Sequence, residues 1–271
     1  MLDAGKRLLL LGGGNMGTAM LGGWLEAGLP GESVTVVDPR LGDALRPFVE
    51  ERGVIHSTSV PPEPVDIVVL AVKPQMMGEA LPTLSAALTP GTLAVSVAAG
   101  TSIATLEAAL GARAIVRAMP NTPALIRRGI TGAHANARCG PAERASAEAL
   151  LSASGPVEWV DGEALIDAVT ALSGSGPAYV FHLAEAMAKA GEALGLPADV
   201  AMRLARHTVA GAGELMIRST DTPETLRRNV TSPNGTTQAA LEILMGDEGF
   251  EPLLQRAMTA ARDRATALSK D

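Results

Sequence analysis

Residues Leu8–Leu11 form an unbroken apolar run that ends in Gly12-Gly13-Gly14-Asn15-Met16-Gly17 and gives way at once to helical patterning. A strand buried on both faces reads as continuous apolar sequence, and glycines at its end allow a turn tight enough to start a helix against the sheet. The same alternation recurs, with Val34–Val37 and residues 67–72, 93–97 and 114–117 as strands and residues 18–27, 42–51, 75–88 and Ile103–Leu110 as helices between them. The expectation is an α/β fold whose parallel sheet is covered on both faces. From Glu163 onward strand signals nearly vanish, and residues 164–172, 178–194, 198–217, 223–230, 237–245 and 250–269 carry helical patterning. Two domains are expected: residues 1–160 around the sheet, and an all-α domain over residues 161–271.

The glycine run fits G-x-G-x-x-G between a strand and a helix. In that setting Gly12, Gly14, Asn15, Met16 and Gly17 bring backbone close to a pyrophosphate facing the helix N-terminus, the pattern of a Rossmann-type dinucleotide-binding domain. Alone the pattern is weak; Asp38, about 20 residues beyond Gly17 at the end of the second strand, strengthens it. A carboxylate there accepts hydrogen bonds from the ribose of NAD and repels the 2′-phosphate of NADP, whereas Arg40 attracts that phosphate. NADH and NADPH both stay open as cofactors.

Open α/β sheets bind ligands beyond the carboxyl ends of their strands, so the motifs there should line one crevice. Ala71-Val72-Lys73-Pro74-Gln75 ends one strand and Ser96-Val97-Ala98-Ala99-Gly100 the next, where small residues let a ring approach the backbone. Lys73 could touch ribose or phosphate, though a strand-end lysine is more often solvated, and Met119-Pro120-Asn121-Thr122-Pro123 reads as a rigid loop, as readily an ordinary interdomain turn as a ligand contact. Far along the chain, Thr231-Ser232-Pro233-Asn234-Gly235-Thr236-Thr237 stands just ahead of a helical pattern. A Pro-Asn-Gly turn followed by hydroxyl residues at the start of a helix aims free N–H groups and hydroxyls at one point, a site suited to a carboxylate.

Composition narrows the class. The chain has 271 residues, 47% of them apolar, with 29 acidic against 22 basic residues and a formal charge of −7. Scattered basic residues in an acidic chain argue against nucleic acid and anionic membranes as partners. Cys139 is the one cysteine and cannot form an internal disulfide, which together with the short N-terminal apolar run suggests a cytoplasmic protein without a signal peptide. Apolar stretches are interrupted well before the roughly 18 residues a membrane span needs. No group of His, Cys and carboxylates shows metal-ligand spacing, and no metal is expected. His182 and His207 sit within helical patterns, where a packed imidazole is the simpler reading.

In order along the chain, residues 12–17, 71–75, 96–100 and 119–123, Leu172-Ser173-Gly174-Ser175-Gly176-Pro177-Ala178-Tyr179 and residues 231–237 resemble the pyrroline-5-carboxylate reductase family. The resemblance covers essentially the whole chain; the last two motifs are specific, the first widely shared. It implies NAD(P)H-dependent reduction of 1-pyrroline-5-carboxylate to L-proline, the final step of proline biosynthesis, by a Rossmann domain followed by a helical domain that intertwines two subunits. Family dimers often join, five together, into decamers. By position, Thr237 matches the threonine whose hydroxyl meets the pyrroline nitrogen, while Ser232, Gly235 and Thr236 match the loop holding the carboxylate. Glu163 and Asn229 match positions near substrate and cofactor. The cofactor set is completed by Asp38, Arg40, Ala71, Val72, Lys73, Pro74, Ser96, Ala98 and Ala99, and the substrate is expected between residues 96–99 and 232–237. Asp38-Pro39-Arg40 departs from the turns of family members that use NADPH, which puts that preference in doubt.

The chemistry agrees. Reducing a C=N bond needs hydride at carbon and a protonated nitrogen; a cyclic iminium already carries its proton, so the protein mainly positions its ligands. The motifs are accordingly rich in Gly, Ser and Thr and poor in acids and bases. A β-hydroxyacid dehydrogenase would need a base, and Val180 stands where those enzymes place a catalytic lysine after the Gly-Ser-Gly segment. A nucleotide-sensing protein would have no use for the second anion site.

Overall fold

The computed structural model describes residues 5–269, which divide into two compact units. The first runs to Gly174 and resumes at Ala261; the second is Ser175–Ala260.

The first unit is built on β1 (Leu8–Leu11), α1 (Asn15–Glu26), β2 (Val34–Val37), α2 (Arg46–Arg52), β3 (Ile55–Ser57), β4 (Ile67–Leu70), α3 (Met77–Ala80), β5 (Leu93–Ser96), α4 (Ile103–Leu110), β6 (Ile115–Met119), β7 (Thr131–Ala135), α5 (Pro141–Ser152), β8 (Val157–Trp159) and α6 (Leu165–Val169). Among the described residues the strands form one sheet in the order β3-β2-β1-β4-β5-β6-β7-β8. Every pairing is parallel except β6 with β7, which is antiparallel. The central run Leu8–Leu11 shows why: Leu8 and Leu10 pack with Met20 and Trp24 on one face, Leu9 and Leu11 with Leu84 and Leu106 on the other. Alternate residues of a strand point to opposite faces, so a strand covered on both sides is apolar throughout. The buried indole of Trp24 donates from Nε1 to the Leu150 carbonyl, at 2.8 Å, and so ties α1 to α5.

The expected single helix over residues 75–88 is instead a 3-10 turn at Pro74–Met76, the short α3, and a second 3-10 stretch at Leu81–Ala86. Pro82 lacks an N–H and its ring collides with the carbonyl four residues back, so a continuous α-helix cannot pass it. β3, β7, β8 and α5 were not anticipated from the pattern. The expected division at residue 160 marks the end of the last strand, whereas the chain leaves the first unit only after Gly174. The reason is that α6 belongs to the sheet: Ile166 is buried, and Asp167 is ion-paired to Arg117 of β6.

The second unit contains α7 (Gly176–Ala193), α8 (Ala198–Arg218), α9 (Pro223–Asn229), α10 (Thr236–Leu244) and the first part of α11 (Phe250–Leu268), the rest of α11 lying in the first unit. Pro177 occupies the first turn of α7, where its missing N–H costs nothing. Small residues bring α7 and α8 together, with a Cβ on Gly191 falling 3.3 Å from that of Ala201.

Candidate active site

Gly12 leaves β1 at φ +103°, and a Cβ built on it would lie 2.8 Å from the carbonyl oxygen of Ala71, just past β4. A Cβ on Gly17 would lie 2.2 Å from the Gly12 carbonyl oxygen, so α1 can start this close to β1 only with glycine at both places. Gly14, with extended backbone, caps α1 and faces open space. The first bond within the helix runs from Thr18 N–H to the Gly14 carbonyl, so the N–H groups of Asn15, Met16 and Gly17 precede it, at the positive end of the helix dipole. A backbone cradle open at Gly14 and closed at Gly12 and Gly17 fits a dinucleotide pyrophosphate.

Asp38, directly after β2, has its carboxylate held on both oxygens: Oδ2 accepts from Gly13 N–H at 2.8 Å and Oδ1 from Arg40 N–H at 3.0 Å. The acid is thus anchored to the glycine turn itself, while Arg40 is exposed beside it. His56 of β3 is placed 2.9 Å from the Asp38 carbonyl oxygen. Past β4, Ala71 and Val72 wall the Gly12 turn and Lys73 leads exposed into the 3-10 turn at Pro74. Past β5 the outcome differs from the expectation in one respect: Ser96 is 0% exposed and Ala98 5%. Ser96 Oγ accepts from Ala98 N–H at 3.4 Å, so its hydroxyl shapes the loop from beneath and leaves no surface for a ligand. Residues 119–123 turn into a 3-10 stretch at Thr122–Ile126, with Asn121 Oδ1 accepting from Ile130 N–H at 3.0 Å.

Glu163 lies in the first unit, its Oε1 accepting from Ile103 N–H at 2.7 Å and from Arg117 Nη1 at 3.0 Å. Arg117 and Asp167 are buried charged residues that motif reading passed over. An arginine within an otherwise apolar strand was the available signal, since a buried guanidinium requires carboxylate partners.

In the second unit, the chain after α9 turns through Ser232-Pro233-Asn234-Gly235, with Gly235 N–H donating to the Ser232 carbonyl at 3.0 Å and Asn234 at φ +59°. Asn234 N–H is bound by Gln238 Oε1 at 2.8 Å, which locks the turn against the first turn of α10. Gly235 caps α10, and the first bond within the helix is Ala239 N–H to the Gly235 carbonyl, leaving the N–H groups of Thr236, Thr237 and Gln238 ahead of it. Among the described residues the hydroxyls of Ser232, Thr236 and Thr237 take no part in a hydrogen bond. Asn229 ends α9 and is exposed. The structure therefore brings Ser232, Gly235, Thr236 and Thr237 into one donor-rich turn, and sets Asp38, Ala71 and Val72 against the glycine turn between β1 and α1. No group of three potential metal ligands gathers among the described residues, and no described helix is long and apolar enough to cross a membrane.

A doubly covered, mainly parallel sheet with a glycine cradle between its first strand and first helix defines a dinucleotide-binding oxidoreductase of the Rossmann type. Comparison with known proteins carries this further. Residues 163–268 match the pyrroline-5-carboxylate reductase dimerisation family, and residues 7–100 match a family described as NADP oxidoreductase, coenzyme F420-dependent. The chain is 45% identical to the pyrroline-5-carboxylate reductase of Pseudomonas aeruginosa over 97% of both chains, and 36% identical to that of Escherichia coli over 98% of this chain and 99% of the other. The solved pyrroline-5-carboxylate reductase of Coxiella burnetii superposes with a TM-score of 0.89 at 37% identity, covering 98% of this chain and 99% of the other. The pyrroline carboxylate reductase of Plasmodium falciparum, solved with NADP bound, gives 0.82 at 27% identity over 98% and 99%. The chain belongs to the pyrroline-5-carboxylate reductase family.

Proposed function

We propose that this protein reduces the C=N bond of 1-pyrroline-5-carboxylate to give L-proline, using NADPH or NADH. The observation that carries the reading is the turn at residues 231–237, which gathers three hydroxyls without partners among the described residues beside the leading N–H groups of α10. Such an array holds a small carboxylate by charge-assisted hydrogen bonds without a cationic side chain.

When bound, the reduced dinucleotide supplies the hydride. The residues of the chain supply position. Gly12, Gly14, Asn15, Met16 and Gly17 cradle the pyrophosphate, and Asp38, Arg40, Ala71, Val72, Lys73 and Pro74 border its nucleoside end, with Ala98, Ala99 and Asn229 toward the nicotinamide. Ser232, Gly235 and Thr236 fix the carboxylate, and Thr237 offers its hydroxyl to the ring nitrogen. Because the iminium nitrogen already carries its proton, hydride arrival completes the amine, and a residue that orients that N–H suffices. On this reading residues 1–160 bind the dinucleotide and residues 161–271 serve substrate and dimerisation.

Assembly belongs to the same proposal: homodimers form through the helical unit, and five dimers join into a decamer. The match to the family's dimerisation region supports the first step, as do apolar side chains left exposed in that unit, among them Leu194, Ile217 and Ile243. A single unpaired cysteine is in keeping with a cytoplasmic location.

The test is loss of NADPH absorbance, and separately NADH absorbance, on adding 1-pyrroline-5-carboxylate, with proline identified as product. Oxidation of either cofactor with proline formation supports the assignment, and the ratio of the two kcat/KM values reads the balance between Asp38 and Arg40. A protein that binds the dinucleotide yet oxidises neither form would overturn it.

A further inference from the structure

The loop between β5 and α4 carries Ala98 and Ala99 of the cofactor reading, and its far end is held by a side chain sixty residues away in sequence. Ile103 N–H, the first amide of α4, donates to Glu163 Oε1 at 2.7 Å, while Ser102 Oγ takes the amide of Thr105. The same Glu163 oxygen accepts from Arg117 Nη1 at 3.0 Å; the other terminal nitrogen of Arg117 reaches Asp167 Oδ1 at 3.0 Å, and Asp167 Oδ2 in turn accepts from the Thr266 hydroxyl at 2.9 Å. Arg117 itself is only 4% exposed in its side chain. The last turn of α11, which carries Thr266, also meets the loop directly: a Cβ on Gly100 would fall 3.1 Å from the Cβ of Leu268, and Gly100 sits at φ +72°. All these residues lie within the first unit.

Two carboxylates around one buried guanidinium make an expensive way to stabilise a fold, because desolvation offsets most of the attraction and apolar packing would serve as well. What the cluster supplies is geometry. It pins the start of α4 to α6 and to the end of the chain, leaving residues 98–103 between a fixed strand and a fixed helix. We propose that the Arg117–Glu163–Asp167 cluster, braced by Thr266 of the last helix, is a positioning device that sets the β5–α4 loop for the dinucleotide, and that Glu163 acts on the cofactor through Ile103 instead of touching the substrate. The inference rests on the reading of Ala98 and Ala99 as cofactor-binding.

The experiment is a fluorescence titration of NADPH, without turnover, against wild type, Glu163→Ala, Glu163→Gln and Thr266→Val, together with the KM of each for 1-pyrroline-5-carboxylate. Glu163→Ala is expected to weaken NADPH binding about ten- to a hundredfold, the scale of a lost hydrogen bond to a charged group, with the substrate KM nearly unchanged. Glu163→Gln keeps a carbonyl acceptor for Ile103 N–H and should recover most of the loss, whereas a role in stability alone would lower the melting temperature of both variants and leave NADPH affinity alone. Thr266→Val, which removes one hydroxyl and keeps the side-chain shape, should weaken NADPH about two- to tenfold even if Glu163→Ala does not fold. A folded Glu163→Ala that binds NADPH as wild type does, or whose defect lies only in the substrate KM, overturns the inference while the cofactor reading stands. Wild type that binds neither NADPH nor NADH overturns the cofactor reading, and the inference with it.

Discussion

At the scale of single residues, the site works by what its side chains leave undone. Thr237 sits in the first turn of α10 with a hydroxyl that takes no part in a hydrogen bond among the described residues, and the proposed mechanism sets it against the ring nitrogen. Thr237→Ala is expected to lower kcat/KM by about ten- to a hundredfold, with an unchanged melting temperature, and Thr237→Ser to retain most activity; wild-type kinetics in the alanine variant would remove the role. Cys139 shows the opposite economy. Burial pushes its thiol up from the usual range, against partial relief from the positive charge of Arg144. The folded protein therefore keeps this proton at pH values where the unfolded chain has released it, so by linkage stability falls as pH rises past the ordinary thiol range near 8.5. Urea unfolding at neutral pH and above pH 9 should show a steeper decline for wild type than for Cys139→Ala.

At the scale of elements, α4 depends on its caps more than on its eight residues, since so short a helix is not stable alone. Ser102→Ala removes the side-chain cap on Thr105 N–H and should cost about 0.5–2 kcal/mol, read as a lower urea midpoint. Elements also show how much of the fold was legible in sequence. β1, β2 and α4 fall where the pattern put them because continuous apolar runs and helical spacing are strong local signals. β7 was not legible: Thr131-Gly132-Ala133-His134-Ala135 has little β-branched or aromatic content, and Gly132 is small because a Cβ there would fall 2.6 Å from Val169 of α6, a tertiary constraint. In the site, the glycine cradle and the turn at residues 231–237 could be read from local chemistry, whereas the burial of Ser96 and the tie from Glu163 to Ile103 depend on contacts between distant segments.

At the scale of the molecule, the helical unit leaves long apolar side chains in water, Leu194 at 88% and Ile243 at 77% exposed, with few buried residues of its own. Helices without a covered apolar face are stabilised by association. The urea midpoint of this unit, followed by helical circular dichroism, should therefore rise over about a hundredfold increase in protein concentration; a midpoint independent of concentration would mean that the unit is stable as a monomer. The path of the chain has one further outcome. It leaves the sheet unit at Gly174 and rejoins it at Ala261, where Thr266 meets Asp167 and Leu268 meets Gly100. During synthesis the sheet can form early, but Asp167 lacks Thr266 and Gly100 lacks Leu268 until the helical unit between them has been made. A nascent chain stalled before Ala261 would hold a nearly complete sheet unit without that brace, and on the proposed role of the cluster it would bind dinucleotide weakly until the segment 261–268 had been added.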